Sequence, residues 1–282
     1  MFDLARTSPA ASALLDRLAT PALTAGSLFA NRYAQPLIVA ATLGMWEAIR
    51  EFAPPPALVA GYSIGELAAY GVAGAYVPED TLSLATRRAR LMDDCLVTHP
   101  GQALVTISGL TLAHAATVAT EYDFQISIET GDDSCIAGGP ANSAGLLEQA
   151  ATAAGGRSSR LPVEVASHTR YMENAVAPFA AALRDTDFHP MGAPVLGGIS
   201  ATAVSGKEQA VDLLSRQLAE KIRWLACMDA CAEAGISYAL ELGPGAALSR
   251  MMQNRHPHIN VRSVADFRTL DGIRKWLERA EE

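Results

Sequence analysis

Ala57-Leu-Val-Ala-Gly-Tyr-Ser-Ile-Gly-Glu-Leu-Ala-Ala-Tyr-Gly-Val-Ala-Gly-Ala75 is the stretch on which the reading of this chain turns. It opens as a short apolar run, turns through Gly61-Tyr62-Ser63-Ile64-Gly65, and continues as a helix of small residues. A serine in G-x-S-x-G, between a strand and a helix, sits on a sharp elbow that exposes its hydroxyl at the end of a sheet. The turn is so tight that glycine is expected to be required on both sides of it. The first amides of the following helix, Ile64 among them, have no acceptor within the helix and face outward, where a developing oxyanion could be held. Five-residue patterns recur by chance, and the bland alternative is a small-residue turn without chemistry. The strand before it and the helix after it favour a nucleophile at Ser63.

The rest of the 282-residue chain limits what such a serine can serve. Half of the residues are hydrophobic and only 18% are charged, enough for a well-cored globular protein of one large domain with a subdomain. A formal net charge of −8 argues against nucleic acid as a main partner, because phosphate binding needs clustered Lys and Arg. Cys95, Cys135, Cys227 and Cys231 show no C-x-x-C spacing and no His partners at ligand spacing, so buried thiols are expected and no metal site. No apolar run reaches membrane-spanning length and no signal pattern opens the chain, which makes a reducing cytoplasm the expectation.

Along the chain, 1–19 reads as a helix broken at Ser8-Pro9, and 35–52 as a core helix ended by Pro54-Pro55-Pro56. Between Gly101 and Val165 the pattern becomes strand, helix, strand, strand, helix, strand, the order of a ferredoxin-like unit. The assignment is therefore an α/β core of residues 1–98 and 166–282 with a short parallel sheet, split by an inserted small subdomain at 99–165. After the insertion come a helix from Tyr171, a strand over 194–199, a long helix over 208–233, strands at 238–242 and 261–265, and a last helix.

Two side chains outside the elbow carry chemistry. On the helix over 79–94, Leu82, Leu84, Ala85, Ala89, Leu91 and Met92 fill one half of the helical wheel, and Thr86, Arg87, Arg90, Asp93 and Asp94 the other. Arg88 falls in the middle of the apolar half. A guanidinium facing the interior requires a carboxylate partner or a wet cleft. A serine also needs a base to remove its proton. Of six histidines, His99, His189, His256 and His258 lie in polar or proline-flanked contexts and His114 sits on a helix of the insertion. His168 lies on the turn where the insertion rejoins the core, a position that edges a cleft and makes it the candidate base, although a loop histidine is often surface decoration.

Gly61-Tyr-Ser-Ile-Gly-Glu66, Arg88-Ala-Arg-Leu-Met92, and Leu161-Pro-Val-Glu-Val-Ala-Ser-His168 together resemble the malonyl-CoA:acyl-carrier-protein transacylases. So do Gln35-Pro36, Arg216-Gln-Leu218 followed by Arg223-Trp224, and Glu241-Leu-Gly-Pro-Gly245. The blocks run in the family's order over about residues 35–265. The resemblance implies an α/β hydrolase-like core with a ferredoxin-like insertion, and a ping-pong acyl transfer of fatty acid biosynthesis. Ser63 would take malonyl from malonyl-CoA as an ester and pass it to the phosphopantetheine thiol of an acyl carrier protein. No cofactor is implied beyond the coenzyme A thioester substrate. His168 would be base and then acid, oriented by the backbone carbonyl of Gln217. Ile64 would supply an oxyanion amide, and Arg88 would hold the malonyl carboxylate.

The chain also departs from the family pattern. The family opens with a strand and a Gly-Gln-Gly loop that donates to the oxyanion hole, and Met1-Phe2-Asp3 matches a point just after it, which implies a sheet with an open edge and a weakened oxyanion site. Tyr62 stands where a histidine is usual, a change expected to alter packing only, and also a feature of malonate decarboxylase transacylases. Glu129 stands where the family often has asparagine. Ile64 resembles malonyl-selective members, whereas Val165-Ala166-Ser167 lacks their bulky aromatic residue. Arg157 and Arg160 are candidates for coenzyme A phosphate contacts. The readings left beside malonyl transfer to a carrier are a malonate decarboxylase-associated transacylase, a serine esterase or thioesterase, and a low-activity or carrier-binding relative.

Overall fold

The elbow is built on a very short strand. In the computed structural model, which describes residues 2–18 and 30–279, helix α1 (Pro9–Arg17) is capped by Ser8, whose hydroxyl accepts from the Ala11 amide at 3.4 Å. The sequence places Pro9 at the first helical position, where its missing N–H costs nothing. A single turn of 3-10 helix (Ala5–Thr7) precedes it. The ends of the helix expected over 1–19, and most of the loop expected after it, lie outside the described residues.

Helix α2 (Asn31–Ile49) starts four residues before the expected Gln35 and carries Pro36 within its second turn. Strand β1 (Val59–Ala60) leads through the elbow into α3 (Ile64–Val72), and α4 (Pro78–Thr98) follows. Pro78 with Glu79 and Asp80 in the first turn suits the positive end of the α4 dipole. Helices α2, α3 and α4 bury Val39, Leu43, Leu67, Ala68, Leu84, Ala85 and Met92 in one core.

The inserted unit is a four-stranded antiparallel sheet of β2 (Gln102–Ser108), β3 (Gln125–Gly131), β4 (Ser134–Pro140) and β5 (Arg157–Arg160), in the order β3-β4-β2-β5. Helices α5 (Leu112–Glu121) and α6 (Ala144–Ala153) connect the strands. They cover one face of the sheet around Val105, Ile107, Phe124, Ala137 and Leu147, a hydrophobic cluster of its own. This is the ferredoxin-like order read from the sequence.

The returning chain forms α7 (Glu173–Asp185), β6 (Val195–Leu196), β7 (Ala203–Val204), α8 (Lys207–Arg216) and α9 (Trp224–Glu233). Strand β8 (Tyr238–Glu241), helix α10 (Ala247–Arg255), strand β9 (Asn260–Ser263) and helix α11 (Leu270–Glu278) complete it. Strand β1 pairs parallel with β6, β6 antiparallel with β7, and β8 parallel with β9. The core sheets are thus shorter than the apolar runs suggested. At 194–199 only two residues pair as strand, because Gly197 and Gly198 turn the chain away.

One expected element is broken. The helix anticipated over 208–233 ends at Arg216 and restarts at Trp224. No glycine or proline marks the gap, so local pattern could not show it. Tertiary hydrogen bonds replace the helical ones. The Ile222 amide donates to the Ser127 carbonyl at 2.9 Å, the Ile222 carbonyl accepts from Glu129 at 2.9 Å, and the Arg223 amide donates to Gly198 at 2.8 Å. The opened segment is sewn to β3 of the inserted unit, and Lys221 pairs with Glu129 across the same seam. Among the described residues no helix is long and apolar enough to cross a membrane.

Candidate active site

Ser63 is the residue preceding α3 and has φ 54° and ψ −119°, a conformation that a non-glycine residue occupies only when its surroundings impose it. The imposition comes from Gly61. A Cβ at Gly61 would lie 2.2 Å from the Glu66 nitrogen and from the Gly65 carbonyl, so only glycine lets the chain double back this sharply. Gly65 differs from the expectation: a Cβ there would meet nothing within 4 Å, so the elbow is closed on one side only. The Gly65 and Glu66 amides are spent on the Tyr62 and Ser63 carbonyls at 2.9 and 3.0 Å. The Ile64 amide has no acceptor among the described residues, and lies at the positive end of α3, next to the serine.

His168 meets this serine from the loop that follows β5. Its Nε2 lies 2.7 Å from Ser63 Oγ and its Nδ1 2.5 Å from the Gln217 carbonyl oxygen. A carbonyl can only accept, so Nδ1 carries the proton and Nε2 presents its lone pair to the Ser63 hydroxyl. That is the tautomer a general base requires. His168 is itself at φ 62° and 1% exposed. Its loop is held at several points: the His168 amide donates to Leu218 at 2.7 Å, Ser127 Oγ to the Ser167 carbonyl at 2.8 Å, and the Ala166 amide to Gln102 Oε1 at 2.8 Å. Strands β2 and β3 and the opened segment after α8 therefore fix the base together. Burial, reinforced by the positive charge of Arg88, lowers the imidazole from 6.5 to about 3, although the Gln217 carbonyl favours the protonated form. The ring is neutral at physiological pH. The other five histidines are exposed or half-buried.

Arg88 is inside, 2% exposed, whereas Arg87 and Arg90 are at the surface. Its Nη1 donates to Gln35 Oε1 at 2.6 Å and its Nη2 to Gln217 Oε1 at 3.2 Å. The direct partners are thus neutral amides, where a carboxylate or a wet cleft was expected. The nearest countercharge is Glu66, buried on α3, whose Oε2 accepts from the Gly198 amide at 2.9 Å and from Gln217 Nε2. Burial lowers Arg88 to about 10, with Glu66 opposing; the guanidinium keeps its charge at neutral pH.

Gln217 is the residue these groups share. Its backbone carbonyl orients His168, its side-chain oxygen receives Arg88, and its side-chain nitrogen donates to Glu66. Only the first of these is implied by the family resemblance of the sequence. It assigns no role to Gln35 or Glu66, though both carry a signal. Glu66 is the only charged residue in Ile64–Val72, an otherwise apolar helix, and the wheel argument used for Arg88 would have found it.

The remaining candidates divide. Tyr62 packs edge-on against Trp224, ring centroids 5.4 Å apart, so the change from histidine is accommodated by packing. Glu129 anchors the segment carrying Gln217 through Lys221. Arg157 and Arg160 are exposed on β5 at the sheet edge and make no hydrogen bond to the groups above. All four cysteines are free and buried.

An elbow serine, a neutral imidazole hydrogen-bonded to it, a free amide beside it and a buried cation sharing Gln217 with the imidazole are an arrangement able to carry out acyl transfer through a serine ester. The comparisons agree. The chain is 30% identical over 237 residues to polyketide synthase GfsB of Streptomyces halstedii, which covers 80% of this chain but 4% of the synthase. It is 28% identical over 274 residues to the malonyl CoA-acyl carrier protein transacylase of Mycobacterium bovis, covering 96% of this chain and 90% of the relative. A malonyl-transacylase solved in complex with its type II polyketide synthase acyl-carrier protein superposes with a TM-score of 0.87 at 24% identity, over 97% of this chain and 92% of that one, and shares the fold. The acyl transferase domain family matches residues 22–253, and this chain belongs to it.

Proposed function

We propose that the protein is an S-malonyltransferase that moves malonyl from malonyl-CoA, through an ester on Ser63, to the phosphopantetheine thiol of an acyl carrier protein. The observation that carries the reading is the double use of Gln217, which ties the base of the reaction to a buried cation. A site that stores a guanidinium on two neutral amides can exchange those bonds for a bidentate pair with an acyl carboxylate. A neutral acyl chain offers the guanidinium no such pair and leaves it on the amides of Gln35 and Gln217, which makes an acid-bearing acyl group the fitting substrate.

In the first half-reaction, His168 Nε2 takes the Ser63 proton as Oγ attacks the thioester carbonyl. The Ile64 amide faces the oxygen that becomes negative. When the C–S bond breaks, the imidazolium returns its proton to the departing thiolate of coenzyme A. In the second, His168 deprotonates the carrier thiol, which attacks the ester carbonyl, and Ser63 leaves with the proton restored. The lowered basicity of His168 keeps it unprotonated and ready before each attack. No metal or further cofactor enters these steps. A division at 99–165 into a small subdomain and a split core, and a cytoplasmic location compatible with four free thiols, belong to the same reading.

The test is a single incubation with malonyl-CoA, quenched in acid and read by peptide mass, with and without a phosphopantetheinylated carrier. A malonyl ester on Ser63 that is discharged to the carrier thiol supports the proposal. An ester discharged to water faster than to any carrier makes the protein an esterase. An absence of label under conditions where the folded protein is intact refutes malonyl transfer. Discharge only to the carrier subunit of a malonate decarboxylase would place the same chemistry in that system.

A further inference from the structure

Glu66 is a carboxylate in the interior for which the mechanism above has no use. One oxygen, Oε2, is held by the Gly198 amide and the Gln217 side chain. A Cβ at position 198 would stand 2.6 Å from Oε2, so a side chain there would displace the carboxylate from this position. The other oxygen, Oε1, is fully buried without a partner among the described residues. A buried anionic oxygen with no donor is costly. The same oxygen carrying a proton is not, provided an acceptor is near. Tyr70 stands one helical turn on, on the same face of α3, and its buried hydroxyl also has no partner among the described residues.

The groups around Glu66 define what a change in its charge would do. Arg88 approaches from α4 through the Gln217 amide, which comes from the end of α8 and has His168 on its carbonyl. Tyr70 lies on α3 itself, and Cys227 on α9 is close enough for its thiol to be pushed further up by the Glu66 charge. Arg88 is the one cation among them. Without an acyl carboxylate, Glu66 is therefore the internal countercharge of Arg88. When an acyl carboxylate pairs with Arg88, two anions share one buried cation, and one of them must be neutralised.

We propose that Glu66 is a positioning residue for acyl selection, serving as the removable countercharge of Arg88 and taking up a proton on Oε1 when the acyl carboxylate enters. The inference rests on the malonyl reading above. The balance is simple: a solvent proton bonds to Oε1, the Glu66 anion becomes a neutral acid, and the net charge around Arg88 is the same before and after loading. Oε2 keeps both of its hydrogen bonds, so Gln217 stays in place with His168 on its carbonyl in either state. Burial, opposed by Gly198, Gln217 and Arg88, raises Glu66 to about 7, so the proton is gained and lost in the working range of pH.

The test compares the wild type with Glu66→Gln, a mimic of the neutral acid, in the pH dependence of Ser63 loading. For the wild type, kcat/KM with malonyl-CoA is expected to fall about tenfold per unit above pH 7. With acetyl-CoA, which brings no carboxylate, that limb is absent. Glu66→Gln is expected to load malonyl with no such limb, its malonyl and acetyl profiles running parallel across this pH range. Identical malonyl profiles for the two proteins would overturn the proposal while leaving malonyl transfer intact. Loading of acetyl but never malonyl, at any pH, would instead remove the malonyl reading and this inference with it. If Glu66→Gln does not fold, malonyl-CoA binding to Ser63→Ala at pH 8 is measured calorimetrically in two buffers of different ionisation enthalpy. Uptake of about one proton is expected, and none would overturn the proposal.

Discussion

Replacing Gly61 and Gly65 one at a time by alanine separates the two sides of the elbow. At Gly61 the new methyl would sit 2.2 Å from the Glu66 nitrogen and from the Gly65 carbonyl carbon and oxygen, all backbone atoms. Ordinary van der Waals contact begins at 3.4 Å. The first turn of α3 would therefore have to move by about 1 Å, and no side-chain rotation can relieve it. Overpacking of this kind costs about 3 kcal/mol, and a 1 Å displacement of reacting groups costs about 10²-fold in rate. Gly61→Ala should lower the thermal midpoint by roughly 6–12 °C, at 2–4 °C per kcal/mol, and slow Ser63 acylation about 10²-fold. At Gly65 the methyl enters open space at a position already helical, where alanine is the better helix former by up to about 1 kcal/mol. Gly65→Ala should leave the midpoint unchanged or raise it by about 2 °C. Differential scanning calorimetry and burst-phase acylation read the two effects. Equal destabilisation by both substitutions would show that the one-sided elbow is wrong.

Two further outcomes follow from the buried charges. Arg88→Ala should reduce kcat/KM for malonyl-CoA by about 10²-fold, roughly 3 kcal/mol of charge-assisted hydrogen bonding, with a much smaller effect on acetyl-CoA; equal losses for both would refute the carboxylate clamp. His168 is depressed from 6.5 to about 3, so below pH 6.5 the unfolded chain binds a proton that the native state refuses, and stability falls with pH by about 1.4 kcal/mol per unit. Unfolding free energies from urea titrations at pH 6.5 and ~4.5 should therefore differ by about 2 kcal/mol more in the wild type than in His168→Asn, and parallel behaviour would contradict the neutral, buried ring.

The elbow serine and the inward Arg88 were legible because each depends on short-range pattern. A strand, a tight turn and a helix are consecutive in the chain, and a cation in the apolar half of a wheel is visible over four turns. The alternation of the inserted unit was legible for the same reason, since its helices and strands each bury one face. What the sequence could not show were the pieces made by tertiary contact. The long helix after Lys207 has unbroken helical composition, yet it opens at Gln217 because Ser127, Glu129 and Gly198 compete for its backbone groups. The core strands are shorter than their apolar runs, as at β6, where Gly197 and Gly198 turn the chain away after two paired residues. Gly65 looked sterically required because the pattern is symmetric, whereas the contacts are not.

The opened helix also explains why base and cation are coupled at all. Had α8 and α9 been continuous, the Gln217 carbonyl would have been consumed by the amide four residues on. Its release from the ladder leaves an acceptor that must be satisfied, and His168 Nδ1 satisfies it. The same break leaves the Gln217 side chain between α3 and α4, facing Glu66 and Arg88. One backbone discontinuity thus supplies both the orientation of the base and the neutral holder of the cation. A substitution that restores helix through 217–223 would be expected to disable proton transfer and acyl recognition together, even with Ser63, His168 and Arg88 all in place.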